Sequence, residues 1–530
     1  MRFRFLACLM PLIVCACGDS TPKTPQGVTL NRGNVGEPKS LDPQFATTQW
    51  EGNIAGDIMS GLLVNGPDGK PMPGAAESWQ ISSDGLTWTF QLRPEQWSDG
   101  KPVTAGDFVF AWQRVLDPKT VATSAFILYV VKNAKPVNQG KLPPGELGVR
   151  AVNDATLEVT LEHPASYLPE LLTQAASSPL PRHVVEAKGA AWSKPENFVG
   201  NGAFVPKEWI ANDHIRLAKN ARFYDAADVK IDTVNYFPTS DYDSALKRLR
   251  AGELDIQSQF GSAQGDWVKK NMPDAWRRVP DLVLFYVAIN NARKPFSDMR
   301  VREALNLAFD REAVTGKIRR MGEPPAYGIV PPGVANYPGG AKLDFAGLGM
   351  AERIARAQNL MRAAGYGPDK MLHTTYLTNT SSDNKVLAPA IQQMMKAAYI
   401  DIEIVQVEPA ILYQRLRQHD FDLGGASWVA DYNDASNFLG SLLSSDSDLN
   451  YSQYRNPQFD ALMTQAEGER DANARGQKLL AAEKLALAEF ALIPYRYSVT
   501  PDLVQPHVKG WIANPKGVNM SRWLSVEGRK

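Results

Sequence analysis

The chain has 530 residues, 44% hydrophobic and 22% charged, with 57 basic residues balancing 57 acidic ones. This length exceeds one ordinary hydrophobic core and predicts two or three domains. Zero net charge argues against a nucleic-acid binder, which needs a basic surface to neutralise phosphates.

Arg2 and Arg4 precede an apolar run, Phe5 to Ala16, too short to span a bilayer as a mature helix. The run ends at Val14-Cys15-Ala16-Cys17-Gly18, which resembles a bacterial lipoprotein signal with Cys17 as the lipidated residue. Residues 1–17 are therefore expected to be a signal peptide and 18–27 a tether to a membrane of the cell envelope. All three cysteines lie in this segment. Cleavage before Cys17 leaves a mature chain with no other thiol, hence no disulfide, thiolate metal site or cysteine nucleophile.

Val28 to Asn34 alternates as a first strand, and Glu51 to Leu63 carries Ile54, Ile58 and Leu62 at helical spacing. A meander follows, with a strand at Thr87 to Leu92 and the turn Trp97-Ser98-Asp99-Gly100. Thr104 is a natural N-cap for a helix from Ala105 to Val115, with Phe108, Ala111 and Trp112 on one face. Asp154 to Leu161 alternates as a half-buried strand. From about Pro181 strands and helices alternate. Val283 to Ile289 is a continuous apolar strand, as in a sheet covered on both faces. Met371 to Leu377 and Ile400 to Val407 read as strands flanking a helix, Lys385 to Ala398. Asn473 to Leu492 reads as a long helix ending at Pro494. The fold class is α/β with several sheets.

One stretch stands out. Phe421 to Asp434 begins as an alternating apolar run, passes through Gly424-Gly425, and places Trp428, Asp431 and Tyr432 within five residues. Alternation followed by glycines reads as a buried strand leaving a sheet where something approaches the backbone closely. An acid beside two aromatics suggests a site for a cation with an apolar part. Taken alone, the same residues also read as a core tryptophan followed by an Asn/Asp turn.

Other chemistry lacks its residues. The six histidines show neither H-E-x-x-H nor H-x-H spacing. Neither a G-x-S-x-G elbow nor a G-x-x-x-x-G-K-[ST] loop occurs. Gly347-Leu348-Gly349 meets Glu352 where a dinucleotide fingerprint needs its third glycine. Asp446, Asp448 and Asn450 open like a calcium loop, but Tyr451 and Pro457 stand where its glycine and bidentate acid belong. No cofactor, no metal and no catalysis are expected.

Several segments in order resemble the extracytoplasmic solute-binding proteins, family 5, of peptide ABC transporters, in the oligopeptide-binding branch. They include Glu77-Ser78-Trp79, Trp97 to Ala105, Asp107 to Trp112, Asn201-Gly202-Ala203-Phe204, Gly252 to Ile256, Pro295 to Leu305 and Trp428 to Asn433. The resemblance implies a two-lobed periplasmic-binding-protein fold with an extra domain and the ligand cleft between the lobes. Lobe I would comprise 28–60, 180–283 and 500–530, the extra domain 61–179, and lobe II 284–499. It implies a monomer that captures a peptide and delivers it to ABC permease subunits. Peptide backbone would be read as an added strand and side chains would enter hydrated pockets.

By the same resemblance Asp431 binds the ligand α-ammonium. Ser427 to Ala430 supply backbone groups, Trp428 lines a side-chain pocket with Tyr432 beside it, and Asn379 contacts ligand. The sequence departs from the family where relatives hold cations for the ligand carboxylate: those places are Gly425 and Asn384. Arg415, Arg417 and Arg496, the last beside Tyr497, are candidate substitutes. The alternative on the same scaffold is a non-peptide solute or a murein peptide derivative, a metal chelate or haem.

Overall fold

Two long antiparallel strands, Trp276–Ile289 and Leu492–Val504, cross the molecule and join its two halves. The computed structural model describes residues 27–261 and 264–529. The expected signal peptide, Cys17 and nearly all of the tether lie outside the described residues.

The crossing strands sit at the centre of a ten-stranded sheet. On one side lie Leu423–Val429, Leu372–Asn379 and Ile400–Val407; on the other lie Ile256–Gln257, Thr29–Gly33, Thr233–Phe237, His214–Lys219 and Phe204–Ile210. The register of the crossing pair shifts between Pro280 and Leu284, and again between Phe285 and Tyr286. Such irregularities bend a strand and sharpen its twist, which suits a passage between two bodies.

Apolar burial follows the same division. One core runs from Leu282 to Tyr497 in the sequence. A second gathers Leu30, Ile54 and Ile58 with Phe90, Phe108, Trp112 and Leu157, so that 61–179 shares a continuous core with the rest of the first lobe. Within 61–179 a four-stranded sheet forms from Ala76–Ile81, Thr87–Leu92, Thr156–Thr160 and Val149–Asn153. Helix Ala105–Leu116 packs Phe108, Ala111 and Trp112 fully inside. Asp107 accepts the Thr104 backbone N–H at 2.9 Å and so closes the first turn. The C-terminal segment returns to the first lobe. There the Ser521 N–H donates to Asp57 Oδ1 at 2.8 Å, and Arg32 Nη1 donates to the Asn519 carbonyl at 2.9 Å.

Two elements differ from their expected form. The first helix is Gln49–Ile58, started by Thr48 and Glu51 as a capping box, and the chain turns extended at Met59 well before Leu63. The long C-terminal helix is Ala472–Ala488, and Pro494 lies inside the next strand. Pro494 pairs with Tyr286 where the register shifts, so its missing N–H falls at an irregular point of the ladder.

Candidate functional site

Strand Leu423–Val429 leaves the second-lobe sheet beside Trp276–Ile289, with Ser427 opposite Phe285 and Val429 opposite Val283. Its glycines admit neighbours of its own fold. A Cβ on Gly425 would lie 2.5 Å from the Tyr376 hydroxyl, and one on Gly424 would meet Leu416. The close approach expected at these glycines is thus made by core side chains.

Beyond Val429 the chain turns through Ala430 to Asn433 into helix Ala435–Leu443, whose N-cap Asp434 accepts the Ser436 N–H at 2.9 Å. The first turn of that helix presents Asn437, which is buried. Its Oδ1 accepts Trp428 Nε1 at 3.0 Å and the Asp431 backbone N–H at 3.1 Å, while its Nδ2 donates to Asp431 Oδ2 at 3.4 Å. One amide therefore fixes both the tryptophan and the acid.

Val429, Ala430, Asp431, Tyr432 and Asn433 line a cavity of about 840 Å³ whose other walls are residues of 46–65, 123–127, 173–178, 281–283 and 515–522, with Gln259 and Thr500. No Lys, Arg or His nitrogen among the described residues pairs with the Asp431 carboxylate within 4.0 Å. Burial pushes this carboxyl above its usual range, opposed only by the Asn437 bond. The loop is also held from 61–179. Gln174 Nε2 donates to the Asp431 carbonyl at 3.1 Å, and Tyr432 stacks on Tyr167 with centroids 4.8 Å apart and planes at 14°. Beneath it Arg475 grips Asp434 through two bonds of 2.6 and 2.9 Å, and its guanidinium lies 5.4 Å from the Tyr167 ring centroid.

The remaining expected residues lie apart from the cavity wall. Ser427 Oγ is 3.4 Å from the Tyr413 hydroxyl, and Trp428 packs partly buried against the second-lobe core. Asn379, at the end of its strand, accepts the Ser381 N–H at 3.0 Å and Asn384 Nδ2 at 2.7 Å. Arg417 is exposed at the end of helix Pro409–Arg417, and Arg415 pairs with Asp420 at 2.9 Å. Arg496 is buried, ion-paired with Glu323 at 2.6 Å and seated 3.3 Å from the Phe285 ring centroid. Tyr497 donates to the Gly328 carbonyl at 2.9 Å. Two cations that the sequence did not single out do line the cavity. Lys516 is matched by Glu170, whereas Arg522 has no carboxylate within 4.0 Å among the described residues and leaves Nε and Nη2 without a hydrogen-bond partner.

A family model described as "Bacterial extracellular solute-binding proteins, family 5 Middle" matches residues 70–450. The chain belongs to this family. Within family 5 it is 37% identical to the periplasmic oligopeptide-binding protein OppA of Escherichia coli (strain K12) over 520 residues, covering 96% of this chain and 94% of that one. Among solved structures, the unliganded open form of the periplasmic murein tripeptide-binding protein MppA superposes with a TM-score of 0.87 at 35% identity, covering 94% of this chain and 98% of that chain. Haemophilus influenzae OppA in complex with RPPGFSPFR gives 0.75 at 33% identity, covering 95% and 99%.

Proposed function

We propose that this family 5 protein is a periplasmic binding protein that captures oligopeptides in the cavity between its lobes and hands them to an ABC permease, without catalysis. The observation that carries this reading is Asp431: a carboxylate in a cavity wall, oriented by Asn437 and without a cationic partner among the described residues. Leaving one member of an enclosed ion pair alone costs about 3–5 kcal/mol. Closure of the lobes is therefore favoured by a ligand that brings an ammonium group, and such differential affinity lets a carrier report occupancy. The names of the relatives support peptides as the ligand class.

Native mass spectrometry of the protein as purified tests the reading. A ladder of peptide masses is expected, and a single non-peptide mass would point to another solute. We further propose that Cys17 carries the lipid anchor. Cys17→Ser should move the protein from the membrane fraction to the soluble periplasm, and an unchanged distribution would refute the anchor.

A further inference from the structure

The cavity wall contains a second acid. Asp281 lies on the crossing strand, within the segment where its register shifts against Leu492–Val504. Ser498 Oγ and Thr500 Oγ1 both donate to its Oδ2, at 2.9 and 2.5 Å. Oδ1 receives no hydrogen bond among the described residues, and no cationic nitrogen pairs with either oxygen within 4.0 Å. Two acids, Glu323 and Asp502, lie close enough to act on its charge. Glu323 is already engaged by Arg319 and Arg496.

Asp281 and Asp431 stand on either side of one backbone hydrogen bond, from the Ala430 N–H to the Leu282 carbonyl at 2.9 Å. Opposed residues in an antiparallel pair are about 5.5 Å apart and each further residue adds 3.8 Å, so the two Cα atoms are at most about 13 Å apart. An extended peptide covers that span in about four residues. We infer that Asp281 is a second cation-recognition point of this cavity, selecting peptides that carry a basic side chain within about four residues of the N-terminal ammonium. The inference rests on the peptide reading of the cavity.

A purely structural role predicts something different. If Asp281 only braces the crossing strands through Ser498 and Thr500, an asparagine serves equally well, because its Oδ1 accepts the same two hydroxyls. Asp281→Asn thus removes the charge and keeps the brace.

The test is calorimetric titration of the wild-type protein and Asp281→Asn with tetra-alanine peptides. Each peptide carries lysine, norleucine or glutamate at one of positions 1 to 4. The expected result is a wild-type preference for lysine over norleucine of about 10-fold or more at one or more positions, about 1.4 kcal/mol. In Asp281→Asn that preference should fall to about 2-fold or less while norleucine peptides bind as before. A variant-free check is that glutamate at the same position binds more weakly than norleucine to the wild type. Equal binding of lysine and norleucine peptides, or a preference that survives Asp281→Asn, overturns the inference and leaves the peptide reading standing. Failure of all three peptide series to bind overturns both.

Discussion

Asn437 holds Asp431 at two points, accepting its backbone N–H at 3.1 Å and donating to its Oδ2 at 3.4 Å. A third bond, from Trp428 Nε1 at 3.0 Å, makes this amide the common support of the motif. Asn437→Ala leaves the Trp428 and Asp431 donors unsatisfied in a partly buried setting. We expect a loss of about 1–3 kcal/mol in unfolding free energy. We also expect a fall in peptide affinity of about 10-fold or more, because a site whose supporting residue is lost must reorder its ligand group on binding. Urea denaturation and calorimetry read the two effects. Unchanged affinity would mean that Asn437 supports the fold alone.

Asp431 itself should dominate ligand affinity. Removing one partner of a desolvated, hydrogen-bonded charge pair costs about 2–5 kcal/mol, so Asp431→Asn should weaken free-amine peptides by about 30-fold or more. N-acetylated peptides should bind the wild type and the variant with similar, weak affinity. If acetylation leaves wild-type binding intact, Asp431 is not the ammonium anchor.

The same carboxylate sets a pH dependence. Burial raises its pKa in the ligand-free protein, and an ammonium group favours the ionised form and lowers the pKa again. Binding should therefore release a proton in the window between the two values, and affinity should decline as pH falls through the ligand-free value. Titrations in buffers of different ionisation enthalpy measure the proton directly. Affinity that rises on acidification would contradict the sign.

Arg475 and Asp434 form a bidentate pair with side chains 3% and 2% exposed, directly below the Tyr167–Tyr432 stack. Asp434→Asn strands the arginine charge inside the protein and should cost about 3–5 kcal/mol. Pairing it with Arg475→Met should recover part of that loss, because no buried charge then remains. Asparagine keeps the helix N-cap, so thermal unfolding of the two variants reads the stranded charge, and no recovery in the double variant would refute this account.

Local patterns were legible in the sequence where the physics is local. The alternation at Leu423–Val429, the apolar face of Ala105–Leu116 and the Asn/Asp turn around Asp431 all follow from residues within one element. The support of the site is not local. Gln174 reaches the Asp431 carbonyl across 257 residues, Tyr167 stacks on Tyr432, and Arg496 is consumed by Glu323. Nothing in the periodicity around those residues marks a partner so distant in the sequence. Asn437 could have been suspected, since a polar amide in the buried first turn after Asp431 needs a partner. Pro494 misled because proline ends helices far more often than it sits at a ladder irregularity, and only the register of Trp276–Ile289 shows which applies.

The crossing strands also carry a buried acid whose protonation should be visible in stability. Asp502 accepts the Gln259 N–H at 3.0 Å. Burial pushes its carboxyl up to about 7, with the Gln259 bond and Arg32 opposing and the Asp281 charge adding. An aspartate in the unfolded chain titrates near 3.9, so the folded state holds this proton more tightly. The stabilising contribution is then fully present below about pH 4 and is lost as pH rises towards 7. Between pH 5 and 7 the loss is on the order of 2–3 kcal/mol. Glu95, also pushed up to about 7 by burial, adds a slope of the same sign. Asp502→Asn keeps an acceptor for Gln259 and removes the titration. Its unfolding free energy, measured by urea denaturation at pH 5 and pH 8, should therefore fall less with pH than that of the wild type, and Glu95→Gln should remove the second share. An Asp502→Asn protein with the wild-type slope would show that this carboxyl stays ionised beside the crossing strands.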